Sequence, residues 1–339
     1  ILIRRGNITH YDEGKGTYNA ITLAFTGSND VRYMSHCSYT VEDVNLNASQ
    51  GVKSTLFQVG SASSFHESSL VLQGLTGNLN MKPPGELYFV PCQYITRFTY
   101  TPMTNSKIVF RNSDLKVVTS TDGFLFEKSS FSNSTILFQN ITNIFLESSV
   151  WTTSLLGYGL LKIWQSSLDS IPGTTVVNST QFNITGCNFT IHGPDVKQMH
   201  GVYMDNNMWI GGSNLNIEDT IFTSNFSSSA TYASTIKIGM DSDRRGVSFQ
   251  SGSAIRIVNV DSTVSCPSCL SSVTPAHYTY GIGFSQVLFT DASVHISQFR
   301  SSVIGINSAY PLFIHFAQFQ RTTFTVKNSE LDATIGVLP

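Results

Sequence analysis

The sequence predicts an all-β protein wound as a parallel β-solenoid, and three observations lead there. Thr, Val, Ile, Phe and Ser dominate, and no sustained apolar spacing of three and four residues runs along the chain. An eight-residue frame recurs twelve times between residues 39 and 324. Within the frame the apolar slots change parity, so each copy has to turn a corner.

The frame reads apolar, any, apolar, two polar or variable, small, any, apolar. Copies begin at Tyr39 (YTVEDVNL), Ser63, Leu87, Ile108, Phe124 (FLFEKSSF), Asn143 (NIFLESSV), Leu161, Phe182, Leu215, Val247, Val287 and Ala317. Slots 1 and 3 lie on one face of a strand, whereas slots 6 and 8 have the opposite parity, so a straight strand cannot bury both pairs. The chain must bend at slots 4 and 5, and a small side chain at slot 6 fits inside the bend. Eleven of the twelve sixth slots are small; Val44 is the exception.

Copies follow one another at 16 to 40 residues, close to 20 over the first seven intervals. A coil of about 20 residues that returns to one corner stacks strands about 4.8 Å apart. That gives about twelve coils, with long loop insertions in the C-terminal half and with Ser129, Ser148 and Ser166 as stacked neighbours. The expected division is a strand-rich segment over 1–38 acting as a cap or assembly element, a solenoid over 39–326, and a strand-like tail over 327–339. The alternative is a set of antiparallel β-sandwich domains, which leaves the parity switch unexplained.

Only 12% of the 339 residues are charged, about half the usual quarter, while 41% are apolar. Twenty Lys and Arg against 22 Asp and Glu give a net charge of −2, which offers no footprint for nucleic acid or an anionic membrane. No apolar run is long enough to insert in a membrane, and the first residues lack a signal peptide's apolar stretch. The chain does not begin with Met, so a processed or truncated piece of a longer product is expected. Solubility must come from Ser, Thr, Asn and Gln, and from glycans at Asn-X-Ser/Thr triplets: Asn7, Asn47, Asn140, Asn178, Asn183, Asn188 and Asn225. An eighth triplet, at Asn133, falls on a slot expected to point inward. These features place the chain outside the cell or on a cell or virion surface.

The segment FNITGCNFT, residues 182–190, and the Ser-Ser-apolar copies around it resemble coils of the right-handed parallel β-helix, or pectin-lyase-like, superfamily. SGSAIRI, residues 251–257, is similar to the glycine-alanine-isoleucine element of bacterial polymorphic surface-protein repeats. The resemblance covers most of residues 39–324 and implies right-handed winding. It is of the adhesin or surface-protein type: the Asn-Thr-Asp, Asp-Asp, Gly-His-Gly and Arg-Ile-Lys segments of polygalacturonase-like members are missing.

Candidate chemistry centres on GMDSDRRG, where extended backbone would put Asp241 and Asp243 on one face about 7 Å apart, beside Arg244. The insertion expected upstream adds His200, Asp205 and Trp209. Two carboxyl groups across a sugar linkage are what glycoside cleavage needs, so Asp205, Asp241, Asp243 and Arg244 are the suspects if this is an enzyme. Ca²⁺ is the one cofactor such a carboxylate pair suggests, and no spacing typical of a metal site occurs. The competing reading is a solvent loop whose charges compensate one another. Cys92 and Cys187 occupy inward slots about 19 Å apart, out of disulfide range, and Cys37 is a poor partner for Cys92. Only Cys266 and Cys269 are close enough for a local bridge.

The expected function is an extracellular structural or adhesive glycoprotein, a subunit of a surface appendage or fibre. Neither end shows a capping helix, and uncapped strand edges favour association with another copy, head to tail. The alternatives are a polysaccharide-degrading enzyme, either a lyase or a tailspike-like glycoside hydrolase, and a non-catalytic carbohydrate-binding module.

Overall fold

A left-handed backbone conformation is what makes the corner. In the computed structural model, Asp43, Glu67, Asn112, Lys128, Gly186, Asp219, Ser251, Asp291 and Arg321, all fifth-slot residues, have φ between 44° and 63°. One such residue in an extended chain reverses which side chains face inward, which is why the apolar slots switch parity. The structure describes residues 2–11, 17–21, 32–49, 53–59, 63–80, 94–118, 122–147, 158–164, 175–193, 198–226, 232–239, 246–266, 278–305 and 308–335. Among them there is no helix, and every strand pairing recorded is parallel. The antiparallel sandwich is thereby excluded.

The strands form one 15-stranded sheet, here the wide sheet, and two nine-stranded sheets, here the second and third. The chain visits them in rotation: Lys107–Arg111 and Asp114–Val118 in the wide sheet, Phe124–Glu127 in the second, Phe131–Ser132 in the third, then Thr135–Gln139 back in the wide sheet. The arrangement is compatible with a parallel β-helix. Corners occur at three places in each round, and the octets fall on all three. Asp43, Asn112, Gly186 and Asp219 bend the wide sheet itself; Lys128 leads from the second sheet to the third; Glu67, Ser251, Asp291 and Arg321 lead from the third to the wide. The interval of about 20 residues is therefore a distance between corners. Stacked positions lie 28 residues apart (Lys107 to Thr135) to 46 apart (Thr135 to Gln181 and Tyr232 to Tyr278), so the longest intervals occur in both halves of the chain.

One octet needs correction. In NIFLESSV the second and fourth slots, Ile144 and Leu146, face the core where the first and third were expected to, and Phe145 is half-buried. Ser148 and Ser166 lie outside the described residues. Ser129 stacks instead with Thr101, whose backbone N–H donates to Ser129 Oγ at 3.2 Å.

The small sixth slot turns out to be polar for a reason. Ser68, Ser113 and Thr220 hydroxyls donate to the carbonyl two residues back (2.7–2.8 Å). At the corner between third and wide sheets the oxygens also accept from the neighbouring layer: Cys37 N–H to Ser68, Ser68 N–H to Ser106, Ser106 N–H to Ser134, Ser134 N–H to Thr180, and Thr180 N–H to Ser213, all at 3.0–3.2 Å. Corner amides that have left the strand ladder are satisfied this way. Ser134→Ala orphans the buried Ser106 N–H and is expected to lower unfolding free energy by about 1–3 kcal/mol in urea titrations, while Ser134→Thr stays near wild type.

Inside, side chains of one column are continuous from layer to layer. Ile3, Val41, Leu72, Phe110, Phe138, Ile184, Ile217, Ile257, Ile296 and Val326 are successive register partners in the wide sheet. In the third sheet Trp209, Phe249, Phe289 and Phe319 form a second column of rings. Outward positions carry polar ladders, such as Asn214 Nδ2 donating to Gln181 Oε1 (3.0 Å) and Asn216 Nδ2 to Asn183 Oδ1 (2.7 Å), with Arg300 on Asp261 and Arg321 on Asp291. Interstrand amide and ion pairs thus stand where a more charged surface would be usual.

Candidate functional site

Three adjacent strands of the second sheet, Tyr158–Trp164, Gln198–Asp205 and Tyr232–Ile238, hold the molecule's unusual chemistry. Leu161 and Ile163 point into the core, so Lys162 between them projects from the opposite face. By the same alternation Tyr203 and Asp205 stand opposite Val202 and Met204, and Lys237 opposite Ile236 and Ile238. Register puts Lys162 beside Tyr203, Tyr203 beside Lys237, Trp164 beside Asp205, and His200 between Gly159 and Ser234. Side chains on the face away from the core would ordinarily meet water. Here Asp122, Lys162, His200, Tyr203, Asp205 and Lys237 are each no more than 3% exposed.

Their enclosure sets the electrostatics. Lys162 Nζ lies 3.5 Å from Asp122 Oδ2, 4.5 Å from the centre of the Trp164 ring and 5.7 Å from that of Tyr203. The Gly159 N–H donates to Asp122 Oδ1 at 2.7 Å. Burial holds the Asp122 carboxyl above the usual carboxylate range, against the opposing pull of Lys162 and Gly159. Burial likewise pushes Asp205 up to about 7, although Lys162 and Lys237 attract its anion and the Asn206 N–H and the Trp164 side chain donate to it. His200 is driven well below its ordinary value by burial first and then by the two lysines, so it is neutral near pH 7. Its Nδ1 is 2.7 Å from Ser234 Oγ and its ring is 5.0 Å from Tyr203. Among the described residues, His200 Nε2 and Asp205 Oδ1 have no hydrogen-bond partner. The cluster can thus hold a proton on a carboxyl group and keep an amine and an acid in contact away from water.

Of the residues singled out from sequence, Asp205 is in this cluster, on a strand instead of the expected insertion. His200 joins it. Trp209 does not: it sits inward in the third sheet, its ring 5.2 Å from that of Phe249. Asp241, Asp243 and Arg244 lie outside the described residues, and among the described residues no three His, Cys, Asp or Glu side chains gather as a metal site. Lys162, Lys237 and Asp122 escaped sequence reasoning, because one lysine between apolar neighbours reads as the wet face of a strand. Only the register, 41 positions from Lys162 to Tyr203 and 34 from there to Lys237, brings them together.

Among the triplet asparagines, Asn140 and Asn225 are exposed, and Asn47, Asn178, Asn183 and Asn188 are half-buried. The Asn7 side chain lies outside the description. Asn133, expected to point inward, is exposed at a left-handed corner (φ 46°), because the corner residue faces out where the straight-strand count would turn it in. Cys37 and Cys187 are free thiols, and burial raises Cys187 to about 11. Cys266 is disulfide-bonded, with Cys269 outside the described residues. No known protein family and no curated protein matches this chain.

Proposed function

We propose that this chain is an extracellular structural or adhesive glycoprotein, a right-handed parallel β-helix whose copies associate head to tail into a fibre. The carrying observation is the column that runs from Ile3 to Val326. Its inner members are buried to within a few per cent, yet Ile3 is 37% and Val326 39% exposed. Around Val326 the last layer also bares Phe316, Phe319, Leu331 and Ile335, and Leu2 is bare beside Ile3. Single apolar residues on a surface need no explanation, but an apolar layer whose strand edges have no partner among the described residues is a template for another layer. The occupant we propose is the first layer of a second copy, since stacking Ile3 on Val326 continues the wide-sheet column in register. Half-buried and exposed triplet asparagines along the flank leave room for glycans without blocking the ends.

The test is negative-stain imaging and sedimentation of the purified chain across a concentration series. Filaments or end-to-end oligomers are expected, and Val326→Asp combined with Phe319→Asp should leave monomers. A wild-type chain that stays monomeric throughout, or end variants that still polymerise, would overturn the reading.

A further inference from the structure

Asparagine at a left-handed corner is explained by backbone geometry alone, because its short polar side chain tolerates positive φ better than most. Among the described residues seven asparagines have φ between 46° and 52°. Only two of them, Asn133 and Asn140, are followed two positions later by a hydroxyl, in Asn-Ser-Thr and Asn-Ile-Thr. A hydroxyl that serves the corner sits on the next residue, as at Ser134; one at the second position is what a glycan acceptor needs. Both asparagines are exposed. In the corner columns Asn133 stands between Asn105 and Ser179, and Asn140 between Asn112 and Gly186, all four exposed as well. Gly186 has no side chain to crowd its neighbour: a Cβ there would come within 2.8 Å of Asn140 Oδ1. The corners are held by backbone, with the Asn133 N–H donating to Asn178 O at 3.0 Å and the Asn140 N–H to Thr185 O at 2.9 Å. Asn183 is the opposite case. It is half-buried on the face of the wide sheet between Leu137 and Asn216, and its Oδ1 accepts from Asn216 Nδ2 at 2.7 Å.

We propose that glycans are carried on the edges of the coil, at Asn133 and Asn140, and that Asn183 stays bare. The proposal rests on the reading of the chain as an extracellular glycoprotein, and it adds Asn133, which straight-strand counting turned inward. In the transfer, Nδ2 attacks the anomeric carbon of a lipid-pyrophosphate-linked oligosaccharide. A carbon–nitrogen bond forms, the carbon–oxygen bond to pyrophosphate breaks, the lipid pyrophosphate leaves, and Nδ2 gives up one proton. The folded chain then has to house a bulky group. A corner does so because the chain falls away on both sides of it, whereas on a sheet face side chains stand about 4.8 Å above and below. The two sites bracket a single strand, Thr135–Gln139, midway along the column from Ile3 to Val326. Sugars there flank the outer face of the wide sheet, keep lateral contacts off it and leave the end layers open.

The test is production of the full chain behind a secretory signal in eukaryotic cells, then enzymatic deglycosylation in heavy-oxygen water and peptide mass spectrometry. Each released glycan leaves a labelled aspartate in place of its asparagine. Asn133 and Asn140 are expected to be labelled in most secreted molecules and Asn183 in few. Thr135→Val and Thr142→Val spare both asparagines, and each should remove one glycan, seen as a single step in gel mobility, with the circular dichroism of wild type. Sugar at other triplets with Asn133 or Asn140 bare overturns the proposal and leaves the glycoprotein reading standing. A secreted chain without sugar at any triplet overturns both. Asn183 labelled to the same extent as the two corners would show that a sheet face houses a glycan as well as an edge does, and the preference for edges would fall.

Discussion

Phe249→Ala should destabilise the protein by about 3–5 kcal/mol. Phe249 is fully buried, its ring centre 5.2 Å from Trp209 at an interplanar angle of 26° and 5.4 Å from Phe289 at 16°. Truncation removes both stacked faces, and the register of the third sheet leaves the neighbouring layers little freedom to close the void. The same change at Phe319 is the control. That ring stacks on Phe289 at 5.2 Å and 6°, but it is 41% exposed at the end of the column. Phe319→Ala should cost well under half as much in a chain held monomeric by dilution. Chemical denaturation with unchanged slope reports both values. Equal losses at the two sites would mean that the column is not the continuous stack its register implies.

What the sequence disclosed of this fold was its corners. A left-handed residue between two extended runs imposes a parity switch, and a hydroxyl on the following residue can satisfy the amide that the bend releases, so both leave marks in composition. Octets beginning at Tyr39, Ile108, Phe182 and Leu215 bend in the wide sheet, while those at Val247, Val287 and Ala317 bend at its border with the third. Which corner a given octet makes is not written locally, because the same backbone geometry produces the same pattern at all three. That degeneracy turned a distance between corners into an apparent coil of about 20 residues. Asn133 shows the other face of the problem: counting slots through a corner without knowing where it lies reverses in and out.

The cluster was less legible than the corners because it exists only across layers. Asp205 stands out as a carboxylate wherever it lies, but LKIW and TIKIG look like ordinary strands with one solvated lysine each. Their lysines become unusual through position. Both project from the face away from the core, and both are nevertheless enclosed along with His200 and two carboxyl groups. Alternation predicts which face a side chain leaves from, and it carries no information about what covers that face.

Asp205→Asn is expected to stabilise the protein above pH 7 by up to about 4 kcal/mol and to make no difference near pH 4. An unfolded chain releases this proton near pH 4, its ordinary value, whereas burial delays release in the fold to about pH 7. Between those values the folded state holds more protons, so wild-type stability falls as pH rises through the window and the loss is complete above pH 7. The amide is uncharged throughout and does not follow that slope. His200 works in the opposite sense: its folded value is lowered, so it removes stability as pH falls below about 6.5. It is present in both proteins and cancels from their difference. Denaturation curves for the two proteins from pH 4 to pH 8 should therefore diverge steadily. If the variant were instead the weaker protein at pH 8, Asp205 would be a carboxylate held by the two lysines, and a protonated Asp205 could not stand.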